Sequence, residues 1–192
     1  MVIKELLGEI HLKIVYFGPG LSGKTTNLEK MHSKLGPTCS SELTTIKTRE
    51  DRTLFFDFMQ IKTGKINGLT PNFNIYTVPG QTYYKETRRL VLAGVDGIVF
   101  VADSQADRMD YNVESFYDLK SFLKELGKSF DEIPVILQCN KQDTDSALKP
   151  EVIKEKLSAN GLKFFPASAI QGKGVFETLT EIIVQVGKNL EK

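Results

Sequence analysis

Residues 18 to 25 combine glycine, lysine and threonine in a spacing that binds phosphate. The stretch GPGLSGKT fits the pattern G-x-x-x-x-G-K-[ST] and stands between a strand-like and a helix-like segment. The glycines let successive backbone N–H groups point inward as an anion-binding nest, and the N-terminus of the following helix reinforces that nest. The predicted phosphate-binding residues are Gly18, Gly20, Leu21, Ser22, Gly23, Lys24, Thr25 and Thr26.

Lys24 and Thr25 have separate predicted roles within this loop. The Lys24 ammonium reaches the β- and γ-phosphates of a nucleotide, and the Thr25 hydroxyl is a ligand of magnesium. A phosphate-binding loop of this kind does not select a base. The choice of base must therefore come from another part of the chain.

A guanine-specific pattern follows a second buried strand. NKQD (140–143), after IPVILQC, matches N-K-x-D. The Asp143 carboxylate can accept hydrogen bonds from the ring N–H and from the exocyclic amino group of guanine. Adenine has no donors at those positions, so the carboxylate would lie desolvated and unpaired against it, at a cost on the order of several kcal/mol. The pattern therefore favours guanine over adenine.

Four further residues complete the predicted guanine site. Asn140 reads the other edge of the base and tethers the phosphate loop, while the stem of Lys141 lies along the base plane. ASA (167–169) ends the next strand, where the Ala169 N–H can donate to the guanine carbonyl and Ser168 stands beside it. The order and spacing of these pieces predict a guanine-nucleotide site.

The stretch TVPGQ (77–81) raises the question of how magnesium is held. In a GTP-hydrolysing switch we expect an acidic residue where Thr77 stands, whereas Gly80 and Gln81 have their usual identities. Gly80 is predicted to bind phosphate, and Gln81 to orient the water that attacks the γ-phosphate. Magnesium tolerates a missing carboxylate, because it keeps several waters and often has few protein ligands beside the phosphates.

The metal site needs one more oxygen ligand. Thr25, the β- and γ-phosphate oxygens and Thr53 are predicted to complete the octahedron, with Thr77 bonded to a bound water. Asp57 is a hypothetical source of the missing negative charge, the alternative being a solvated strand carboxylate. The alternatives to Thr53 as the metal ligand are the nearby threonines Thr44, Thr45 and Thr48.

Arg52 directly precedes Thr53 in the polar stretch 36–52, which is predicted to be a mobile loop that the γ-phosphate orders. From there its guanidinium can swing over the γ-phosphate as an arginine supplied in cis, with Arg49 as the competing candidate. An arginine that is always in place predicts intrinsic hydrolysis on the order of 10⁻² s⁻¹, and one that waits for a partner predicts a rate nearer ~10⁻⁴ s⁻¹. The slower rate suits a timed switch.

Short apolar runs alternate with amphipathic stretches along the chain. Strands are predicted at 11–18, 53–61, 73–78, 95–103, 133–140 and 162–168, and helices at 25–35, 111–126, 150–159 and 175–190. This alternation indicates an α/β fold with a mainly parallel sheet, helices on both faces and one antiparallel strand from the hairpin of the second and third strands. The motifs fall at the ends of strands, where such folds bind ligands.

Composition argues against several other classes of protein. The chain has 192 residues, which suits one domain, with 41% apolar and 26% charged residues and a net charge of +1. That charge gives no electrostatic reason to bind nucleic acid or an anionic membrane. Two cysteines make no disulfide framework, no apolar run could span a membrane, and no lipid anchor is readable. We expect a cytoplasmic protein that would depend on partners to reach a membrane.

Together these residues resemble the Ras-like small GTPases, and among them the bacterial family of cell polarity and gliding motility. The similar stretches run through the whole chain: KIVYFGPGLSGKTTNL, RTLFFDF, YTVPGQ, GVDGIVFVADS and GKGVFETL. The resemblance implies one P-loop NTPase domain over residues 1–192, a Ras-like G domain with a six-stranded sheet and an antiparallel edge strand. It also implies a GTP/GDP switch with Mg²⁺, GTP-state effector proteins, and a Roadblock/LC7-fold homodimer of the MglB type that accelerates hydrolysis.

The strand at 53–61 suggests a binding surface. Its alternation places Phe55 and Met59 on one face with Asp57, partly exposed near a sheet edge, where they would contact another protein. The alternative is that a helix covers this face. The residues that would extend the surface after Gln81 are Tyr83, Tyr84, Arg88 and Arg89. The alternative is that these four are ordinary surface residues of a helix.

The leading hypothesis is an enzyme used as a switch, a small GTPase that hydrolyses GTP slowly and binds effectors in its GTP state. One alternative is a guanine-nucleotide-dependent scaffold without useful hydrolysis, which Thr77 favours and Gln81 and Arg52 oppose. The other alternative is a P-loop ATPase or kinase, against which the NKQD pattern argues.

Overall fold

The computed structural model of the chain describes residues 2–4, 8–36, 44–46, 56–65, 68–79 and 84–189. Its strands are β1 (Val2–Lys4), β2 (Glu9–Phe17), β3 (Thr44–Ile46), β4 (Phe56–Lys62), β5 (Thr70–Thr77), β6 (Gly97–Asp103), β7 (Val135–Asn140) and β8 (Lys163–Pro166). These strands form one sheet in the order β3-β4-β5-β2-β6-β7-β8, with β1 paired to β2.

The sheet is mainly parallel. β5, β2, β6, β7 and β8 run in one direction, and β4 is antiparallel to β5. These are the six predicted strands, so the mainly parallel α/β fold with one antiparallel strand is confirmed. Two three-residue strands extend the sheet, with β1 antiparallel to β2 and β3 antiparallel to β4 on its outer side. Three residues are too few for an alternating pattern to be recognised in the sequence.

The described helices cover both faces of the sheet, as predicted. They are α1 (Lys24–Leu35), α2 (Lys85–Leu92), α3 (Met109–Glu125), α4 (Pro150–Lys156) and α5 (Val175–Lys188). One hydrophobic core contains residues of α1 and α5, and the other contains residues of α2, α3 and α4. None of these helices is long and apolar enough to cross a bilayer.

The two central strands β6 and β7 are buried along their whole length. Their near-continuous apolar runs are typical of parallel strands that have helices on both faces. Each strand ends in a polar residue, Asp103 on β6 and Asn140 on β7. The carboxyl ends of parallel strands meet at one edge of the sheet, so both side chains lie at the edge that binds ligands in folds of this kind.

The antiparallel direction of β4 brings its first residues to this same edge. Phe58 pairs with Tyr76 and Met59 with Ile75. One residue further towards the start of β4, Asp57 therefore faces Thr77 at the end of β5. Because β4 begins where β5 ends, the pairing places the Asp57 carboxylate at this edge of the sheet.

The face of β4 that carries Met59 is buried, so the surface predicted there is wrong at this residue. Met59 has no exposed area and belongs to the core that contains α1 and α5, and α1 contacts β4. The alternative of a covering helix is the one observed. On the opposite face Phe56 and Phe58 are half-buried, with ring centroids 5.9 and 4.9 Å from that of Tyr76.

Arg88 is not a surface residue, contrary to the expectation for the segment after Gln81. Its side chain is 1% exposed, and its guanidinium donates to Asp118 Oδ2 at 3.0 Å and to Ser115 Oγ at 2.8 Å. The guanidinium also lies 4.4 Å from the ring centroid of Phe17, the residue before the phosphate loop. Arg88 therefore joins α2 to α3 inside the protein, whereas its neighbour Arg89 is partly exposed.

Candidate nucleotide-binding site

The phosphate loop connects the end of β2 to the start of α1, as the motif predicts. Leu21 has a φ of 64° and Gly23 a φ of 95°, and these left-handed conformations curl the backbone around the loop. A Cβ atom on Gly23 would collide with the side-chain nitrogen of Asn140, which explains why only glycine fits there. The loop therefore has the backbone curvature of an anion-binding nest.

Lys24 points back over the loop. Its ammonium donates to the carbonyl oxygens of Gly18 at 3.1 Å and Pro19 at 2.6 Å, and the residue is 6% exposed. Burial and, to a smaller extent, the Arg88 charge lower the pKa of Lys24, the Asp57 carboxylate partly opposes them, and the resulting pKa is about 7. A buried ammonium whose hydrogen bonds go to neutral carbonyls is costly, and the negative charge of a polyphosphate would reduce that cost.

Asn140 joins the base loops to the phosphate loop. Its side-chain nitrogen donates to the carbonyl oxygen of Ser22 at 2.8 Å, and its side-chain oxygen accepts from the backbone N–H of Ala169 at 2.8 Å. Both bonds are buried. This single side chain thus fixes the positions of three segments that the sequence assigned to one nucleotide site.

A cleft of about 210 Å³ opens between these segments. Its lining includes Gly23 and Thr26 from the phosphate-loop region, together with Asn140, Lys141 and Asp143 from the NKQD segment. Asp143 is exposed, so its carboxylate is available to a base that enters from solvent. Three of the predicted phosphate-binding residues (Leu21, Gly23 and Thr26) and most of the predicted guanine-binding residues therefore line one cavity.

Two apolar side chains at this cleft stand out for their exposure. Leu21 is 83% exposed and Ile170 is 68% exposed, and both line the cavity. Large apolar side chains at the mouth of a small cleft gain by contact with a ligand that excludes water from them. Leu21 was assigned to the phosphate loop, but Ile170 was missed because one apolar residue after ASA matches no motif.

A carboxylate lies beside the predicted magnesium ligand Thr25. Asp57 Oδ2 accepts hydrogen bonds from the Thr25 hydroxyl at 2.6 Å and from the Thr77 hydroxyl at 3.0 Å. The Asp57 backbone N–H donates to Thr77 Oγ1 at 2.8 Å. Asp57 is only 6% exposed, so its alternative description as a solvated carboxylate is wrong. Thr77 bonds this carboxylate directly, where the sequence suggested a bound water.

The donor set of these three residues fits magnesium. Hydroxyl and carboxylate oxygens are its preferred protein ligands, and one or two carboxylates beside substrate phosphates are usual. In the described part of the chain no group of three or more His, Cys, Asp or Glu residues could hold a metal by itself. A magnesium ion here would therefore depend on nucleotide phosphates as well as on Thr25 and Asp57.

Two buried hydroxyls in the site have no hydrogen-bond partner in the described part of the chain. Ser22 Oγ lies in the phosphate loop and Ser168 Oγ lies in the ASA segment. Buried polar atoms are almost always hydrogen-bonded, so orphaned ones indicate a missing water, ion or ligand. Both occur in segments that the sequence assigned to nucleotide binding.

Part of the predicted site lies outside the described residues. The catalytic candidates Arg52, Arg49 and Gln81 are among these residues, as are Gly80 and Thr53. Of the alternative metal-binding threonines, Thr44 and Thr45 lie in β3, and Thr48 lies outside the described residues. The roles of these residues stay predictions.

Asp103 is, after Ile170, a second residue of the site that sequence reasoning missed. Its carboxylate accepts a hydrogen bond of 2.6 Å from the Lys141 ammonium, and Gln105 Oε1 accepts another of 3.0 Å. The ammonium of the NKQD lysine is thereby held from the end of β6. An acidic residue at the end of a buried strand was the available signal.

Known proteins resemble this chain over nearly its whole length. A model of the ADP-ribosylation factor family matches residues 1–186. The chain is 44% identical over 184 residues to the mutual gliding-motility protein MglA of Myxococcus xanthus, covering 96% of this chain and 94% of that protein. It is 29% identical over 188 residues to the ADP-ribosylation factor-like protein 2 of Drosophila melanogaster, covering 95% of this chain and 91% of that protein.

Proposed function

Because the chain belongs to the ADP-ribosylation factor family and is a Ras-like small GTPase similar to MglA, we propose that it is a GTP/GDP switch controlling cell polarity or motility. It hydrolyses GTP to GDP and phosphate, and its partners recognise the GTP state. The name of the Myxococcus relative, which refers to gliding motility, supports the assignment of the process.

The observation that carries this proposal is the double hydrogen bond of Asn140. A single amide spans the carbonyl of Ser22 and the N–H of Ala169, each at 2.8 Å. Binding of a guanine base at Asp143 and binding of phosphates at the loop are therefore mechanically linked. An adenine nucleotide would leave the Asp143 carboxylate unpaired, which disfavours ATP.

Magnesium binding is assigned to Thr25 and Thr53, with Asp57 as the nearby carboxylate. The 2.6 Å bond between Asp57 and Thr25 supports a negative charge at this place. Magnesium would neutralise charge that develops on the γ-phosphate and would align its oxygens. Asp57 would then take over the role expected of an acidic residue at position 77.

Hydrolysis is assigned to Gln81 and Arg52. Gln81 would orient the attacking water beside Gly80, and Arg52 would stabilise the negative charge that spreads over the γ-phosphate. Lys24, anchored above the phosphate loop, would hold the β- and γ-oxygens. We expect slow intrinsic hydrolysis, nearer ~10⁻⁴ s⁻¹, because Arg52 waits for a partner to place it.

The partner proposed for this step is an MglB-type Roadblock/LC7 homodimer. It would contribute no arginine of its own and would hold Arg52 and Gln81 in their catalytic positions. Effector proteins would bind the GTP state. The protein would be cytoplasmic, and partners would recruit it to a cell pole.

Single-turnover GTP hydrolysis tests this proposal. The purified chain is loaded with GTP and magnesium and followed with and without a Roadblock-type homodimer. We expect slow hydrolysis alone and an acceleration of about 10³- to 10⁵-fold by the partner. Arg52→Ala and Gln81→Ala should each abolish the acceleration, whereas Arg49→Ala is the matched control and should retain it.

The same assay separates the switch from a scaffold. Tight GTP binding without turnover in either sample would support the guanine-nucleotide-dependent scaffold and overturn the proposed hydrolysis. Equal binding of ATP and GTP would overturn the base assignment. Loss of acceleration in Arg49→Ala alone would move the catalytic role from Arg52 to Arg49.

A further inference from the structure

The carboxylate of Asp103 is held in a fixed position at the end of β6. Its side chain is fully buried, and its Oδ1 accepts from the Gln105 N–H at 3.1 Å. The buried amide of Asn112 on α3 bonds both sides of the Asp103 backbone, accepting from its N–H at 2.9 Å and donating to its carbonyl at 2.8 Å. The negative charge of Asp103 therefore has little freedom to move.

Lys141 is the first cation that this carboxylate holds. The Asp103 Oδ2 atom lies 2.6 Å from the Lys141 ammonium, whose second acceptor is Gln105. Lys141 has a φ of 67°, a left-handed conformation that few non-glycine residues adopt. The ion pair fixes the far end of a side chain whose backbone is already set by the NKQD turn.

Arg108 is the second cation, and it belongs to the phosphate side of the site. Its Nε lies 3.9 Å from Asp103 Oδ2, and its Nη2 donates to the carbonyl oxygen of Gly20 at 3.4 Å. The guanidinium lies 4.1 Å from the ring centroid of Tyr111, which supports it from the α3 side. Arg108 thus bridges the end of β6 and the phosphate loop.

The cluster gives the base loop and the phosphate loop a second connection, besides the bond from Asn140 to the Ser22 carbonyl. One carboxylate serves one cation from the base loop and one cation that contacts the phosphate loop. Together they leave one positive charge next to a site for a polyanion. An ion pair that served only the fold would have no need to connect both ligand-binding loops.

We propose that Asp103 is a positioning residue for the bound nucleotide, with Arg108 as its contact to the phosphate loop. Asp103 sets the Lys141 side chain against the base and, through Arg108, restrains the Gly20 carbonyl. Loss of either restraint lets a loop open and shortens the residence time of the nucleotide. The inference rests on the proposed guanine-nucleotide site and goes beyond it by naming a second connection between its two halves, in addition to Asn140.

Release of a fluorescent GDP analogue from the full chain tests the proposal. Asp103→Asn preserves the shape of the side chain and removes its charge, so neither Lys141 nor Arg108 keeps an ionic partner within the described part of the chain. We expect GDP dissociation to become ~10- to 100-fold faster, as for loss of a charged hydrogen bond. Dissociation at the wild-type rate would overturn the proposal.

Arg108 provides a conservative series for the phosphate side. Arg108→Met keeps a long side chain against Tyr111 but has no charge, and we expect faster GDP release. Arg108→Lys keeps one charge that can reach Asp103 or Gly20, so its release rate should lie between those of wild type and Arg108→Met. Equal rates for the Lys and Met variants would overturn the role assigned to the Arg108 charge.

A stability control distinguishes positioning from general support of the fold. Ile153 is fully buried on α4 and belongs to none of the nucleotide-binding segments. Ile153→Ala should lower the melting temperature and leave the GDP release rate unchanged. If release accelerates in Ile153→Ala in proportion to its loss of stability, Asp103 acts through stability alone and the proposal fails.

Inosine diphosphate gives a further readout. Asp103 is expected to act on both loops and not on the part of the site that reads the amino group of guanine. Asp103→Asn should therefore weaken the binding of GDP and of IDP by the same factor. A selective loss of GDP binding would show that the base-reading edge itself had changed, against the proposal. If the wild-type chain bound neither nucleotide, the proposed function would fail, independently of any variant.

Discussion

Asp57 and Thr77 are joined across β4 and β5 by two hydrogen bonds. The Asp57 N–H donates to Thr77 Oγ1 at 2.8 Å, and that hydroxyl donates to Asp57 Oδ2 at 3.0 Å. The same carboxylate oxygen accepts from Thr25 at 2.6 Å. The charge that we expected at position 77 therefore stands on the opposite strand, and Thr77 orients it.

Asp57→Asn should weaken magnesium binding by the nucleotide complex. The amide retains the shape and one acceptor but has no negative charge, so we expect the magnesium concentration for half-maximal nucleotide retention to rise ~10- to 100-fold. Magnesium titration of GDP release measures this shift. Thr77→Val is the matched variant, which keeps the charge and loses only its orientation, and its shift should be smaller. An unchanged titration in Asp57→Asn would rule out Asp57 as the source of the charge.

GDP binding should take up a proton above neutral pH. The pKa of Lys24 in the nucleotide-free protein is about 7, below its ordinary value of 10.5, so at pH 8 the side chain is mostly neutral. Phosphates favour the charged ammonium, so binding restores the proton and affinity should fall as the pH rises above about 7. Calorimetric titration at pH 8 in buffers of different ionisation enthalpy measures the uptake. The uptake should be much smaller at pH 6, where Lys24 is already charged.

The same shift affects the stability of the nucleotide-free protein in the opposite sense. Between about pH 7 and pH 10.5 the unfolded chain carries a proton on Lys24 that the folded chain lacks. The free energy of unfolding should therefore increase with pH across this window through Lys24. Urea denaturation at several pH values measures the sign of this change in the free energy of unfolding. A Lys24 contribution that decreases as the pH rises would contradict the prediction.

Asn140→Asp should bind GDP more weakly than wild type. The carboxylate keeps an acceptor for the Ala169 N–H but places negative charge against the Ser22 carbonyl, where the amide donated a bond of 2.8 Å. Loss of a buried bond with an unpaired group left behind costs about 1–3 kcal/mol, or ~5- to 150-fold in affinity. Competition binding with GDP measures the change. A wild-type affinity would show that the link between the loops does not contribute to binding.

Arg88→Met should destabilise the protein without exposing a new surface. Methionine can pack on Phe17, but Asp118, whose side chain is 9% exposed, would lose its close partner and keep, among the described residues, an ion pair with Lys85 at 3.6 Å. We expect a loss of about 3 kcal/mol in the free energy of unfolding, at the lower end for a broken buried pair. Urea denaturation measures it. The double variant Arg88→Met with Asp118→Asn should recover part of this loss. Equal losses of stability in the single and the double variant would argue against the broken ion pair as the cause.

Much of this fold could be predicted from apolar patterning. β6 and β7 are continuous apolar runs, and α3 has regular helical spacing. The apolar pattern of each segment was therefore enough to predict its secondary structure. β1 and β3 were missed because three-residue strands depend on a neighbour for pairing and have no period of their own. The β4 faces were misjudged because alternation tells which residues share a face and not which face a helix covers.

The site was predictable where backbone geometry imposes a motif. The phosphate loop and the NKQD segment need glycines and polar residues at fixed spacing, so their identities appear in the sequence. Asp57 and Asp103 act through partners 20 and 38 residues away, and such contacts depend on strand order and register. Arg88 was misassigned for the same reason, since its partner lies on another helix.

The cross-strand pair of Asp57 and Thr77 constrains how a chain of this kind can evolve. Opposite residues on antiparallel strands lie close enough to exchange roles. A lineage that moved the acid from one strand to the other by single substitutions would pass through an intermediate with two acids or with none. The first would repel and the second would lack the charge, so the two positions are expected to change together. A motif search that requires an acid four residues before Gln81 would pass over this chain, in which the neighbouring carboxylate lies on β4.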